Sequence, residues 1–256
     1  MKIATYNCNS VRKRLPIILE WLKTERPDVL ALQETKVQDV DFPVEAFRDA
    51  GYFVAFRGMK AYNGVATLTR EEPTKIVYGI RPGPDSEDFR LLQTIVGGVR
   101  IINTYVPQGS DIESEKYRYK LEWFVRLRKY FDLHLKSEEE IIWLGDLNVA
   151  PEPIDVANPE KNTNDPCFHI DARREYKKTV EGRFVDVYRA KYPDRVQYTF
   201  WDFFRNAYER NRGWRIDHIL ATPALAKRCT KVVVDVGPRE APSPSDHTIV
   251  WANFER

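Results

Sequence analysis

Glu140-Ile141-Ile142-Trp143-Leu144-Gly145-Asp146-Leu147-Asn148 is the stretch on which the fold turns. Residues 140–144 are a short apolar run rich in β-branched and aromatic side chains and closed by a glycine, which predicts a buried strand. Asp146 and Asn148 follow at its tip, two positions apart and therefore on one side, while Gly145 lets another backbone come close. The same layout recurs at Ile3-Ala4-Thr5-Tyr6 before Asn7, at Val29-Leu30-Ala31-Leu32 before Gln33-Glu34, and at Ile101-Ile102-Asn103-Thr104 before Tyr105. Strand tips are rigid, so polar side chains there can converge on one cleft.

Working outward, strands and helices alternate. Residues 2–6 predict a strand, Ile18, Trp21 and Leu22 share one helix face, and residues 29–32 form the next strand after Pro27. Short strands follow at 52–56, 65–69, 94–96 and 99–105, with Gly and Pro signals that read as antiparallel turns. A long helix is expected over 114–135, where Tyr117, Leu121, Phe124, Leu127 and Phe131 recur at helical spacing. Beyond 148, Asp171 predicts the N-cap of a helix through Val180, strands are expected at 197–201, 214–221, 231–236 and 248–254, a short helix at 223–229, and a plain loop at 238–244. Two packed sheets with outer helices accommodate this count. Of the 256 residues 43% are hydrophobic, enough for one large core, and no stretch reads as a linker, so a single domain over 1–256 is expected.

Forty basic and 38 acidic residues leave a net charge of +2, too even to indicate nucleic acid by itself. Local charge says more. Lys116, Arg118, Lys120, Arg126, Arg128 and Lys129 crowd the long helix, and Arg205, Arg210, Arg212 and Arg215 crowd the approach to Ile216-Asp217-His218. Both clusters suit phosphate contacts, with a solvated helix face as the alternative for the first. Cys8, Cys167 and Cys229 lack paired spacing, which predicts a reduced, intracellular protein. The sequence enters a strand without a charged and apolar leader, and no apolar run approaches the ~20 residues of a membrane span.

Glu34 at a strand tip is a hard oxygen ligand of the kind Mg²⁺ takes while bridging a phosphate. Asn7 and Asn9, two apart on the first strand, can orient water, carboxylates or phosphate. Asp146 can take a proton from water, and Asn148 can hold that water without adding charge. Asp217, with Ser245-Asp246-His247, forms a relay in which a carboxylate fixes the imidazole tautomer and the histidine meets phosphate. Tyr105 offers a hydroxyl at another strand tip. Acids, amides and a histidine at strand ends are the layout of a metal-dependent phosphodiesterase.

With Gln33-Glu34-Thr35-Lys36, Asn103-Thr104-Tyr105-Val106-Pro107-Gln108-Gly109, Gly145-Asp146-Leu147-Asn148, Gly213-Trp214-Arg215-Ile216-Asp217-His218 and Pro244-Ser245-Asp246-His247 in order, the chain resembles the exonuclease III class of abasic-site DNA endonucleases, within the endonuclease/exonuclease/phosphatase superfamily. The resemblance implies an α/β four-layered sandwich of two mixed, largely antiparallel sheets flanked by helices. It implies catalytic roles for Tyr105, Asp146, Asn148, Asp217 and His247, and Mg²⁺, with Mn²⁺ as a substitute, on ligands drawn from Glu34, Asp146, Asn148, Asn7, Asp246 and His247. Phe200, Trp214 and Ile216 would wall a slot that accepts a flipped, base-less sugar, and Phe204 on the loop beside Phe203 and Arg205 would wedge into the stack. Asn7, Tyr62, Asn63 and Arg205 complete the expected DNA contacts. The loop 108–115 is short and acidic, with no counterpart to the second inserted side chain that some members use. The implied function is Mg²⁺-dependent hydrolysis 5′ of abasic sites in duplex DNA, leaving a 3′-hydroxyl, with 3′→5′ exonuclease and 3′-phosphatase activity, in a monomeric cytoplasmic, nucleoid-associated enzyme. The rivals are a superfamily phosphatase or RNA-directed nuclease, and a catalytically silent DNA-binding protein.

Overall fold

The computed structural model describes residues 1–80, 89–136 and 138–255. In chain order its first half holds β1 (Lys2–Asn7), α1 (Val11–Glu25), β2 (Val29–Gln33), α2 (Val44–Asp49), β3 (Phe53–Met59), β4 (Tyr62–Thr69), β5 (Lys75–Tyr78), β6 (Leu91–Val96), β7 (Val99–Tyr105) and α3 (Glu115–His134). The second half holds β8 (Ile141–Asp146), α4 (Ile170–Val180), β9 (Val185–Asp186), α5 (Val187–Lys191), β10 (Asp217–Ala221), α6 (Pro223–Ala226), β11 (Cys229–Asp235), α7 (Gly237–Glu240) and β12 (Ile249–Phe254). Two six-stranded sheets result, ordered β11-β12-β1-β2-β4-β3 and β5-β6-β7-β8-β10-β9. Only β1–β2 and β7–β8 pair parallel; the other ladders are antiparallel, as expected for a mixed, largely antiparallel fold.

The alternation of side chains along β8 shows why the layers stack. Ile142 and Leu144 point between the sheets and meet Ile3, Val29, Ala31 and Ala252 of the first sheet. Ile141 and Trp143 point the other way, under Trp123, Phe124, Leu127 and Phe131 of α3 and Tyr176 of α4. A strand covered on both faces must be apolar throughout, hence the unbroken run at 141–144. On the far side α1 lays Ile18, Trp21 and Leu22 over Ala4, Leu30 and Leu68. The order is helix, sheet, sheet, helix. Each buried large side chain of α3 contributes roughly 1.5–3 kcal/mol by leaving water.

Local signals set most boundaries. The Ser114 side chain accepts the Tyr117 N–H as N-cap of α3, whose last bond comes from Leu135 N–H. Arg26, left-handed at φ 47°, ends α1 just before Pro27.

Several expectations are corrected. The cap of α4 is His169, whose Nδ1 accepts the Asp171 N–H; Asp171 sits inside the first turn, where its charge complements the helix dipole. Residues 197–201 form no strand, since Phe200 makes isolated bridges to Trp214 on one side and His247 on the other. The strand expected from 214 begins only at Asp217, because the Arg215 N–H turns aside to the Asp155 carbonyl. The loop expected at 238–244 starts within the one-turn α7. The short elements α2, β5, β9 and α5 were not anticipated; none is long enough to show a period.

Candidate active site

Register alone brings the first groups together. In the second sheet Asp146 pairs with Tyr105 of β7 on one side and Asp217 of β10 on the other. The approach depends on Gly145: a Cβ there would lie 1.9 Å from the Thr104 carbonyl oxygen, and its φ is 138°. The first sheet ends Asn7 beside Gln33, one residue from Glu34. Packing the sheets face to face sets these tips across one cleft.

Asp146 is 1% exposed and lies at the centre. Its Oδ2 accepts from Asn7 Nδ2 at 2.8 Å and Asn148 Nδ2 at 3.2 Å, and its Oδ1 accepts the Asn148 backbone N–H at 2.9 Å. Asn7 Nδ2 also donates to Glu34 Oε1 at 2.8 Å, so one amide clasps two carboxylates. The Asn9 N–H donates to Asn7 Oδ1 and holds that amide's orientation. Glu34 (φ 50°) and Asn148 (φ 49°) are both left-handed, a backbone state that costs of order 1 kcal/mol or more and gathers at functional sites.

His247 Nδ1 lies 2.8 Å from Asp217 Oδ2, and its Nε2 is 3.8 Å from Asp146 Oδ2. Burial alone would discharge the imidazole, yet the carboxylates of Asp217, Asp146 and Asp246 outweigh it and lift the pKa to about 10. Burial holds the Asp146 carboxyl above the usual range, opposed by His247 and reinforced by Asp217 and Glu34. Tyr105 is pushed up by burial and by the negative charge of Glu34 and Asp146, so it stays a hydroxyl donor, with Glu34 as partner.

Glu34, Asp146 and His247 offer ligand atoms all within 4.8 Å of one another. The half-buried carboxylate of Glu34 and the buried one of Asp146, both hard-oxygen donors with Asp217 close by, are an excess of negative charge that a divalent cation would offset, so the donors fit such an ion. Asp246, expected among the ligands, stands outside this cluster, with its Oδ1 accepting from Asn9 Nδ2 at 3.0 Å and Ser245 Oγ at 3.1 Å. Asn7 and Asn148, also expected as ligands, turn amide nitrogens rather than oxygens toward Asp146.

Asn9 does not lie on the first strand with Asn7; at φ 42° it bends away. It receives Lys36 Nζ at 2.6 Å, and the same ammonium lies 2.6 Å from Glu34 Oε2. Lys36 was not assigned from sequence, although a cation two residues from the candidate acid Glu34 was visible in the motif. Thr199, also missed, accepts the N–H groups of Ile216 and Asp217 on its hydroxyl and seats the start of β10.

Beside the acids, the Phe200 ring sits 4.9 Å from the His247 ring. Phe200 and Trp214 are half-buried and pack with buried Ile216 on Val156, Cys167 and Phe168, so the three residues expected to wall the slot share one apolar cluster. Phe203 and Phe204 are 52% and 75% exposed. Phe204, Arg205, Arg212 and Trp214 border a cavity of about 580 Å³. Tyr62, 65% exposed, and Asn63 open β4, where the Asn63 carbonyl accepts the Lys36 N–H and ties that rim to the Glu34 segment.

Three basic residues expected at phosphates are engaged elsewhere. Arg215 is 2% exposed and bonds Asp155 at 2.7 Å and Asp186 at 2.7 Å. Lys120 is fully buried on α3. Arg128 of the same helix pairs with Glu175.

The profile of the endonuclease/exonuclease/phosphatase family matches residues 4–247. The chain belongs to this family. Exodeoxyribonuclease III of Haemophilus influenzae is 32% identical over the full length of both chains. An AP endonuclease structure from Archaeoglobus fulgidus superposes with a TM-score of 0.98 at 49% identity, covering 100% of each chain. A 3′ phosphatase from Neisseria, bound to a product DNA hairpin, superposes at 0.96 with 34% identity, also covering 100% of each. Within the endonuclease/exonuclease/phosphatase family the chain is a nuclease of the exodeoxyribonuclease III type, a phosphodiester hydrolase. No helix among the described residues is long and apolar enough to cross a membrane.

Proposed function

We propose that residues 1–256 form one domain that acts inside the cell, as a monomer, on duplex DNA, hydrolysing the phosphodiester 5′ of an abasic site and leaving a 3′-hydroxyl. The same centre serves 3′ ends, as a 3′→5′ exonuclease and a 3′-phosphatase. The observation that carries this reading is the contact of the Phe200 ring with His247. In this reading the apolar cluster of Phe200, Trp214 and Ile216, which this contact joins to the acid cluster, receives a flipped sugar without a base together with its phosphate. Resemblance to a relative solved on a product DNA hairpin supports DNA as the partner.

Glu34 and Asp146 are the residues to hold Mg²⁺, or Mn²⁺ in its place; the ion, when bound, offsets charge on the phosphate. Asp146 accepts the proton of the attacking water while the Asn148 amide holds that water or a phosphoryl oxygen. The water oxygen bonds to phosphorus as the bond to the 3′ oxygen breaks. His247, protonated and oriented by Asp217, and the Tyr105 hydroxyl donate to the non-bridging oxygens where charge grows. Phe204 fills the gap left in the stack, and Arg205, Tyr62, Asn63 and Asn7 contact the backbone around it.

The test is incision of a duplex carrying one tetrahydrofuran abasic analogue, with Mg²⁺ or with EDTA. Cleavage on the 5′ side with Mg²⁺ alone, and an intact control duplex left whole, is the expected result. Equal cutting of both duplexes, or hydrolysis of inositol phosphates or RNA in preference, would replace this reading.

A further inference from the structure

Lys120 is an ammonium inside a protein with neutral partners. It lies on the core face of α3, fully buried, and Nζ donates to three backbone carbonyls: Gln108 at 3.0 Å, Asn148 at 2.6 Å and Pro166 at 2.8 Å. Gln108 lies in the connection after β7, while Asn148 and Pro166 lie at opposite ends of the long connection from β8 to α4, three stretches far apart along the chain. Burying a charge costs several kcal/mol unless it is well bonded, so a lysine kept where methionine would pack needs a reason. A core role alone would be met more cheaply by an apolar side chain of the same length.

We propose that Lys120 is a positioning residue for hydrolysis, acting through Asn148. By holding the Asn148 carbonyl it keeps that residue in its left-handed turn, which aims the amide at Asp146. The neighbouring contacts have the same sense. The Asn148 amide donates to the Val106 carbonyl at 2.9 Å, and the Cys167 thiol donates to Asn148 Oδ1 at 3.6 Å, next to the Pro166 carbonyl that Lys120 holds. The His218 ring meets the Val149 carbonyl at 2.8 Å from the other side. Lys120, with three donors on one atom, ties these three stretches together at a single point. Gly109 allows the first of them to lie flat on the lysine stem, where a Cβ would come 3.4 Å from Lys120 Cδ and 3.0 Å from the Tyr117 ring.

The inference rests on the assignment of Asn148 to the reaction, and a double-mutant cycle separates the two. Lys120→Met, Asn148→Ala and the double variant are measured on abasic duplex under saturating Mg²⁺. Lys120→Met should lower kcat about tenfold or more, as expected for a reacting group displaced by a fraction of an ångström, with KM for DNA within about twofold. In the Asn148→Ala background the same substitution should change kcat less than about twofold, because the group it positions is gone. Leu127→Ala, on the same helix face, is the stability control: it should lower Tm and leave kcat at the parent value. Equal losses from Lys120→Met in both backgrounds, or a loss confined to KM, overturns the positioning role. An Asn148→Ala enzyme as fast as the parent overturns the assignment of Asn148 instead. Should Lys120→Met not fold, Lys120→Gln, which retains an amide donor, takes its place in the cycle with the same two outcomes.

Discussion

His247 and Asp217 meet at 2.8 Å although they belong to different sheets, Asp217 starting β10 in one and His247 lying just before β12 in the other. The dyad exists only when the sandwich is closed. The His247 imidazole, to which the proposed reaction gives the phosphate, is therefore oriented by a carboxylate from the opposite sheet, so relative displacement of the sheets would be felt there.

Asp217→Asn should cost on the order of 10² or more in kcat on abasic duplex, by removing the charge that keeps His247 protonated and aimed. His247→Asn and Asp146→Asn should lose as much, while DNA binding in gel shift survives in all three. Turnover within a few-fold of the parent in any variant removes that residue from the reaction.

Glu34→Ala should raise the Mg²⁺ concentration at half-maximal rate and be partly rescued by excess metal, because hard-oxygen sites hold Mg²⁺ with few ligands. Loss of the Asn7 and Lys36 contacts accompanies it. A metal titration that overlays the parent's would exclude Glu34 as a ligand.

Phe200→Ala or Trp214→Ala should relax discrimination against intact nucleotides more than it slows hydrolysis if, as proposed, these clustered rings wall the slot. Phe204→Ala should weaken duplex incision and spare trimming of frayed 3′ ends, which need no wedge. Incision and 3′ trimming measured side by side decide the matter; unchanged ratios in all three variants would make these aromatics plain packing.

Arg215→Met should destabilise the fold by up to about 3–5 kcal/mol, leaving buried Asp155 with Arg189 alone and half-buried Asp186 with His218 alone. The effect is pH-dependent. Burial would raise the Asp186 carboxyl, but Arg215 and His218 outweigh it and hold it far below the usual range. A depressed carboxylate contributes stability above its unfolded pKa of about 3.9 and loses it as pH falls below that. The Tm gap between parent and variant should thus be widest near neutrality and narrow below about pH 4. Calorimetry across that range checks it; a constant gap would show that Arg215 contributes packing rather than charge.

Much of this was legible along the chain. The apolar runs ending at Asn7, Gln33, Tyr105 and Asp146 marked strands whose tips hold the polar groups, and Ser114 and Leu135 bounded α3 within a residue. Residues 197–201 read as a strand because their aromatics and threonine favour one, but their backbone bonds go to Trp214, Asp246 and Thr248, which no local pattern reveals. Arg215 and Lys120 read as surface cations for the same reason: a side chain's length and charge are local, its burial is not.

By itself the sequence determined which chemical groups stand at strand ends, and the periodicities that make those ends helices or strands, because a strand repeats every two residues and a helix every 3.6 whatever lies across from it. The tertiary structure alone decided which groups face one another. Asn7 reaches Asp146 across 139 positions of chain, and the side of an amide that it shows, the protonation of His247 and the burial of Lys120 follow from how the two sheets and α3 pack. Hydrogen bonds and charge act over a few ångströms of space, and spacing in the chain does not encode that distance.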